Sequence, residues 1–216
     1  MKARFSLLFL VLVLMTVVLC SCSDVEIPPM PVVEGVAEYT SPEELMVAFR
    51  TAYEKQDFNA FEALLHPDFE TFLTAETRAA FPSVGPTLDW SEETRIAERM
   101  FAGVPVADPE GHHVAGISDF VFQVMDQQSG WADSGPGAVI PNAQAAMFDV
   151  VISIVRPTDS FMKVNGQIMF FVAGRDTVIN GVDRTYWTML GQQDLTSFRF
   201  KASESTSWGS AKALYR

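Results

Sequence analysis

The sequence predicts an α+β fold in which a curved antiparallel sheet wraps around three N-terminal helices. Apolar residues recur every three or four positions between Ser41 and Gly103, which is the spacing of helices with one buried face. From Val114 onward they alternate with polar residues, which is the spacing of strands. Helices that precede a run of linked strands indicate α+β rather than alternating α/β architecture.

The first helix has clear start signals. Ser41 is a favoured N-cap, Pro42 suits the first helical position, and Glu44 completes a capping box. The apolar stripe that follows has the i, i+3, i+4, i+7, i+8 spacing of one buried face and consists of Leu45, Ala48, Phe49, Ala52 and Tyr53.

The other two of the three helices are predicted after Asp57 and after either Asp89 or Ser91, and a short additional helix is predicted after Thr74. The Asp57 helix has an apolar face and is ended by His66-Pro67, because the residue before proline avoids helical angles. The Thr74 helix covers 75–81. The last helix carries Glu92 and Glu93 in its first turn, where the helix dipole favours acids, and ends at Gly103.

Four strands follow, and the strand-like runs lie at 120–124, 148–154, 168–172 and 182–194, with Phe198 and Phe200 extending the last. Asn165-Gly166 and Asn180-Gly181 are each predicted to form hairpin turns, because both central positions of a type I′ turn need positive φ. Trp90 is interpreted as a packing residue, and Asp194 as a bulge or turn residue.

The run AFRTAYEKQDFNAFEALLHPDF, residues 48–69, resembles the opening of the NTF2-like superfamily, also called SnoaL-like. The order of elements from 41 to 200 supports the resemblance. It implies a cone, in which the sheet cups the helices and leaves a pocket. We therefore expect an NTF2-like domain at 40–202 and a loose polar tail at 203–216.

The start of the chain carries a leader pattern. A basic start and an apolar run from Phe5 to Leu19 are typical of a signal peptide, and Leu19-Cys20-Ser21-Cys22 resembles the bacterial lipobox. The resemblance implies that residues 1–21 are removed and that Cys22 becomes a lipidated, palmitate-type N-acylated membrane anchor. A plain signal peptide, an uncleaved membrane helix, and Cys20 as a rival lipid site remain alternatives.

Several properties bear on location and partners. Ser23 resembles an outer-membrane sorting residue, so a lipoprotein facing the periplasm is expected at the outer membrane rather than the inner one. Residues 22–39 read as a proline-rich tether. Without the leader the chain has 13 basic and 27 acidic residues, a net charge of −14, which disfavours nucleic acid as a partner. Both cysteines precede the domain, which excludes a disulfide, a thiolate zinc site or a cysteine nucleophile there.

Aromatic residues are the candidates for a pocket lining. Their strand or helix spacing fits a plain core as well as a pocket, and the candidates are Phe49, Tyr53, Phe120, Phe122, Tyr186 and Trp187. In the ketosteroid-isomerase branch of the family, a catalytic Tyr and Asp stand at positions that match Phe49 and Leu73 here. Both are apolar in this chain, so that mechanism is not carried over.

The other candidates are weak. His66 has the chemistry of a general base, but a structural hydrogen bond suits its place before proline. His112 and His113 could bind a metal, although their spacing matches no strong motif and a solvated loop explains them better. Neither a nucleophile elbow nor a phosphate loop is present, and we expect no cofactor and no metal.

The sequence predicts a lipid-anchored, non-catalytic domain that binds a small apolar ligand or a protein partner, or forms a homodimer through its sheet. The alternative is an enzyme, a lyase, isomerase or hydrolase, acting in the cone pocket. Ionisable side chains converging inside the cone would favour the enzyme. A cone filled by aromatic side chains would instead favour docking of a partner.

Overall fold

The computed structural model describes residues 39–157, 160–179, 182–196 and 205–216. The predictions for the leader, for Cys22 and for all of the tether before Tyr39 lie outside the described residues. The same holds for Asn180-Gly181 and for Phe198 and Phe200.

Four helices form where the sequence places their caps, namely α1 (Pro42–Lys55), α2 (Phe58–Glu62), α3 (Ala75–Ala80) and α4 (Trp90–Phe101). A further helix, α5 (Trp208–Ala213), lies where no helix was predicted. Ser41 Oγ accepts from the Glu44 amide at 3.2 Å, while the Glu44 carboxylate reaches back to Thr40. Asp89, rather than Ser91, caps α4, since its Oδ1 accepts from the Glu92 amide at 2.9 Å. Caps of this kind satisfy amide groups that the helix itself leaves unpaired.

The strands comprise β1 (Leu65–Phe72), β2 (Thr87–Asp89), β3 (Val106–Ala107), β4 (His113–Val114), β5 (Asp119–Gln127), β6 (Ala132–Asp133), β7 (Gln144–Val155), β8 (Phe161–Ile179), β9 (Val182–Asp194) and β10 (Ser205–Thr206). The large sheet has the order β2-β1-β9-β8-β7-β5, with β10 added to β8 and β6 added to β7. Strands β5, β7, β8 and β9 pair antiparallel. The strands β3 and β4 form a separate small hairpin.

The concave face of this sheet packs on the helices and encloses one apolar core, to which α1, α2, α4 and α5 all contribute. Side chains on β7 alternate between buried and half-buried from Ala145 to Val155, as expected for a strand with one face on a core. The predicted α+β cone is confirmed. Within the described residues no helix has both the length and the apolar character needed to span a membrane.

The corner between α2 and β1 differs from the prediction. The helix ends at Glu62, and Leu65, His66 and Pro67 already belong to the strand. Proline lacks an amide donor, and here the pairing of β1 with β9 is interrupted between Leu65 and Glu70. The strand also runs parallel to β9, so the sheet is not antiparallel throughout.

The predicted turn at Asn165-Gly166 is wrong. Both residues lie inside β8, where they pair with Val151 and Val150 of β7. Glycine is needed at 166 for a close approach rather than for positive φ, because a Cβ there would lie 1.9 Å from Thr196 Oγ1. The β7–β8 connection instead has the Arg156 amide donating to the Ser160 carbonyl oxygen at 2.9 Å.

The expected loose tail is also wrong for its described part. Residues 205–216 form β10 and α5, and Trp208, Lys212 and Tyr215 are almost completely buried. The polar composition of this segment conceals a helix that is buried on every side, since all six residues of α5 are buried. In the sequence, only the i, i+3, i+4, i+7 spacing of Trp208, Ala211, Lys212 and Tyr215 indicates this burial. We call residues 205–216 the closing segment.

Candidate functional site

Aromatic rings fill the interior of the cone. Tyr53 lies at their centre, with its ring centroid 4.9 to 6.2 Å from those of Phe49, Phe61, Phe101, Phe120, Phe122 and Trp208. Most of these pairs meet edge to face, which is the favoured geometry for aromatic side chains. Phe170 and Phe148 extend the cluster along the sheet.

The predicted pocket residues therefore fall into two groups. Phe49, Tyr53, Phe120 and Phe122 are buried in this ring cluster, which is the core interpretation given with the prediction. Tyr186 and Trp187 are half-buried on β9, and the Trp187 amide donates to the Tyr39 carbonyl oxygen at 2.9 Å. An open depression of about 630 Å³ lies elsewhere, on the solvent side of α1 and α2, and includes the exposed Val47.

The closing segment is held as a peptide ligand would be. Its strand β10 adds in parallel to β8, pairing Ser205 with Lys163 and Thr206 with Val164. This is the part of β8 that lies beyond the end of β9, whose last pair is Asp194 with Ile168. Addition of an extended segment to a free sheet edge, followed by side chains in pockets, is a common mode of peptide recognition.

A chain of buried hydrogen bonds connects the closing segment to the cone wall. Trp208 Nε1 donates to Gln192 Oε1 at 3.3 Å, and Gln192 Nε2 donates to Thr71 Oγ1 at 2.9 Å. Thr71 Oγ1 in turn donates to Glu93 Oε2 at 2.9 Å. The Lys212 ammonium ends the chain as an ion pair with Glu93 Oε1.

The ion pair is enclosed on all sides. The side chains of Lys212 and Glu93 are 0% and 1% exposed, and Lys212 Nζ lies 4.9 Å from the Trp208 ring centroid, in cation–π contact. Burial lowers the pKa of Lys212, while Glu93 and, more weakly, Asp194 oppose this shift. Burial, and then the negative charge of Glu93, raise the pKa of Tyr53 well above 10.0. The Tyr53 hydroxyl finds no hydrogen-bond partner among the described residues.

A second set of contacts fixes the start of α5. Asp194 Oδ2 accepts from the Gly209 amide at 2.8 Å, so this residue anchors the closing segment and is more than the turn residue predicted. Thr77 Oγ1 of α3 lies 3.2 Å from Ser207 Oγ and 2.9 Å from Ser210 Oγ. At position 209 a Cβ would lie 2.8 Å from Leu73 Cδ2 and 3.1 Å from Asp194 Oδ2, so only glycine fits without a shift.

The far end of the closing segment is also tied down. The Tyr215 hydroxyl donates to the Ala115 carbonyl oxygen at 2.8 Å. The Arg216 guanidinium pairs with Glu92 of α4 and donates to the Ser83 carbonyl oxygen at 2.6 Å. These contacts place polar anchors on both sides of the buried ion pair.

The buried polar side chains of the domain are concentrated here. Among the described residues, all of them except Thr94 belong to the closing segment or to the contacts that hold it, namely Thr71, Thr77, Glu93, Gln192, Asp194, Ser207, Ser210 and Lys212. The rest of the core is apolar. Each buried polar group requires a partner. The polar side chains of the cone wall and those of the closing segment supply partners to one another, and this fixes the position of the segment.

The histidine candidates lie away from this site. His66 Nδ1 accepts from the Asp68 amide at 3.1 Å, which is the structural hydrogen bond considered with the prediction. His112 Nδ1 lies 3.1 Å from Asp108 Oδ2 in an exposed loop. Together with Glu110, these residues place three potential metal-ligand atoms within 4.8 Å of one another. Asp108 already accepts from the amides of Glu110 and His112, and this bonding lowers the pKa of its carboxyl group against the opposing effect of burial.

The buried polar residues Glu93, Lys212, Thr71 and Gln192 were not among the site residues predicted from the sequence. Two of them carry a signal that could have found them. Glu93 shares the apolar stripe of α4, three and four positions before Ile96 and Ala97, and Lys212 shares the stripe of α5. A charged residue on an apolar stripe indicates a buried partner.

Comparison with known proteins gives similarity in fold but none in sequence. No protein-family model and no curated protein matches the sequence. Among solved structures, a protein of unknown function from Mycobacterium tuberculosis is 8% identical over 80% of this chain and 87% of its own, with a TM-score of 0.45. An NTF2-like protein of unknown function in nutrient uptake from Rhodospirillum rubrum is 12% identical, over 71% and 95%, at 0.39. The association domain of C. elegans CaMKII is 10% identical, over 70% and 89%, at 0.37.

Proposed function

We propose that this chain, an α+β cone of the NTF2-like type, is a non-catalytic, lipid-anchored domain that binds a protein partner outside the cone. One observation carries the proposal. The ring cluster around Tyr53 and the closing segment fill the interior of the cone, so a partner has to bind on the outer surface of the domain.

The filled interior argues against a small apolar molecule as the resident ligand. Tyr53 and its neighbouring rings contact each other directly, and Trp208 packs on them at 5.2 Å. A ligand in the same place would have to displace the closing segment and leave its buried polar groups without partners. Native mass spectrometry of the purified chain is expected to show no retained small molecule. A stoichiometric ligand would contradict this, and the same spectrum reports a homodimer formed through the sheet.

Binding in trans tests whether the cone is free to take a partner segment. A fluorescein-labelled peptide with the sequence of residues 205–216 is expected to show negligible binding to the wild-type chain, measured by fluorescence anisotropy, because the closing segment already fills the site. The full chain carrying Trp208→Ala, whose closing segment is weakened, is the matched control. Tight binding of the peptide to the wild-type chain would contradict a partner site outside the cone.

The anchor is proposed on the resemblance of residues 19–22 to a lipobox. Acylation of Cys22 would hold the domain at a membrane facing the periplasm, and Ser23 favours the outer membrane. We expect Cys22→Ala to release the protein into the soluble fraction, with Cys20→Ala as the matched control that leaves it membrane-bound. Membrane retention of the Cys22→Ala protein would contradict lipid anchoring.

A second candidate, an enzyme, is favoured by the convergence of Glu93, Lys212 and Tyr53 inside the cone. Paired ionisable groups in an enclosed site are typical of lyases, isomerases and hydrolases. However, the closing segment seals these groups from solvent and itself supplies Lys212. We therefore place the binding function first, since the polar groups already satisfy one another.

A further inference from the structure

We propose that one face of a strand pair at the end of the sheet binds an anionic phospholipid surface and gives the domain a second contact with the membrane. We call this strand pair the arm. It consists of residues 173–179 of β8 and residues 182–188 of β9, which pair with each other along their whole length. The inference rests on the proposed lipid anchor and adds to it the side of the domain that lies on the membrane.

The arm extends beyond the rest of the sheet. Strand β7 pairs with β8 only as far as Val172, and β1 pairs with β9 only as far as Met189. Past these two residues, β8 and β9 have no further strand neighbour within the described part of the chain. A two-stranded ribbon is marginally stable in water by itself, so a surface that covers one of its faces would stabilise the arm.

The two faces of the arm carry opposite charges. Side chains alternate between the faces along each strand, and directly opposite residues share a face. The register therefore places Arg175, Arg184 and Val182 on one side, which we call the basic face. The same register places Asp176 and Asp183 on the other side. The arm is neutral as a whole but presents two cations in one direction.

Both arginines of the basic face can reach a ligand. Arg175 and Arg184 are exposed, and neither forms an ion pair within the described residues. Asp176 does not neutralise them, because it lies on the other face, where its Oδ1 accepts from Thr185 Oγ1 at 2.6 Å. Guanidinium groups bind phosphate oxygens in a bidentate manner. An anionic phospholipid surface offers such phosphates at high density.

Val182 favours a bilayer over a soluble phosphate compound. It is 54% exposed at the tip of the basic face, and Arg184 follows it by two residues, about 7 Å along the strand. The headgroup layer on each side of a bilayer is about 5–8 Å deep. The valine can therefore reach the edge of the hydrocarbon while the arginine stays among the phosphates. A soluble phosphate compound offers no apolar layer for this side chain.

The start of the domain is bonded to the arm. The Trp187 amide donates to the carbonyl oxygen of Tyr39, the first described residue, at 2.9 Å. Residues 22–38 connect an acylated Cys22 to this point and span at most about 60 Å. The anchor would thus keep this end of the domain near the bilayer. Because the anchor makes arm binding intramolecular, a weak contact is sufficient.

The test places a fluorescent probe on the arm of the full, membrane-derived chain. Val182→Cys is labelled with a nitrobenzoxadiazole fluorophore and the protein is reconstituted into vesicles of phosphatidylethanolamine and phosphatidylglycerol that contain a spin-labelled lipid as quencher. Both native cysteines belong to the leader and the anchor, so an acylated chain has no other free thiol. The matched control is Val104→Cys, which is also 54% exposed but lies outside the arm. Val178→Cys, 64% exposed, probes the opposite face.

The expected result is strong quenching at position 182, weaker quenching at 178 and none at 104. Arg175→Gln with Arg184→Gln should lower the ratio of docked to undocked arm by about 30-fold, since each arginine near an anionic surface contributes about fivefold. Arg78→Gln with Arg95→Gln is the matched control, because it removes the same charge from α3 and α4 and should change the ratio little.

The outcomes separate the arm from the anchor. A chain that floats with the vesicles but shows equal quenching at 182 and 104 would overturn the arm contact and leave the anchor intact. The same would follow if vesicles of phosphatidylcholine alone quenched position 182 as strongly. No quenching at 182 on a floating chain would also overturn lipid contact and leave the basic face to an acidic protein. A chain that does not float with the vesicles would overturn the anchor and the arm contact together.

Discussion

Replacing Lys212 by methionine isolates the contribution of the buried charge pair to stability. Methionine keeps most of the length and the apolar stem of lysine, so the packing of α5 is largely retained. The change leaves Glu93, which is 1% exposed, with only the Thr71 hydroxyl and the Gln192 amide as partners. Breaking a buried pair in this way costs about 3–5 kcal/mol, a large share of the roughly 5–15 kcal/mol that stabilises a domain.

Urea unfolding followed by circular dichroism measures this cost. With a slope of about 2 kcal/mol per molar urea, the midpoint should fall by about 1.5–2.5 M. The double variant Glu93→Gln/Lys212→Met is the matched control. Because it removes both charges and keeps an acceptor for Thr71, it should recover at least half of the loss. A single-variant loss below about 1 kcal/mol, or no recovery in the double variant, would refute a sealed ion pair.

Three other substitutions test the core and the sheet. Tyr53→Phe should be neutral or stabilising by about 1 kcal/mol at pH 7, since the hydroxyl it removes has no partner among the described residues. The raised pKa of Tyr53 lets the folded state keep a proton that the unfolded state loses above pH 10.0. Wild-type stability should therefore fall above that pH, and the stability of this variant should fall less. A fall of the same size in both proteins would contradict this. Phe49→Ala should cost about 3–5 kcal/mol in urea unfolding, and a cost below about 1 kcal/mol would show that Phe49 lies outside the core. Asn165→Thr should change stability by less than about 0.5 kcal/mol, because β-branched residues suit an exposed strand position; a loss of several times that would restore the turn interpretation.

Periodicity and capping predicted the helical half of the cone well, because both are local properties of the chain. The stripe of α1 and the caps at Ser41, Asp57 and Asp89 appear where the sequence places them. The error at Asn165-Gly166 has a different origin. Glycine serves both tight turns and close approaches, and the approach here is to Thr196, thirty residues away in the chain.

The closing segment could not be located from composition. Its serines and its lysine are typical of an exposed tail, and they are buried only because Thr77, Asp194 and Glu93 offer partners from three distant elements. Those partners in turn resembled ordinary cap, turn and surface residues. Reciprocal burial of this kind is a property of tertiary structure, and only the stripe shared by Trp208, Lys212 and Tyr215 hints at it locally.

The parallel pairing of β1 with β9 affects how the chain folds during its synthesis. It joins residues 70–72 to residues 191–193, so the first strand has no neighbour on that side until almost the whole domain has been synthesised. Long-range pairings of this sort form slowly, since a large loop must close before any contact is gained. A chain halted after β7 would present an unprotected strand edge, which is the kind of surface that chaperones shield and that aggregates recruit.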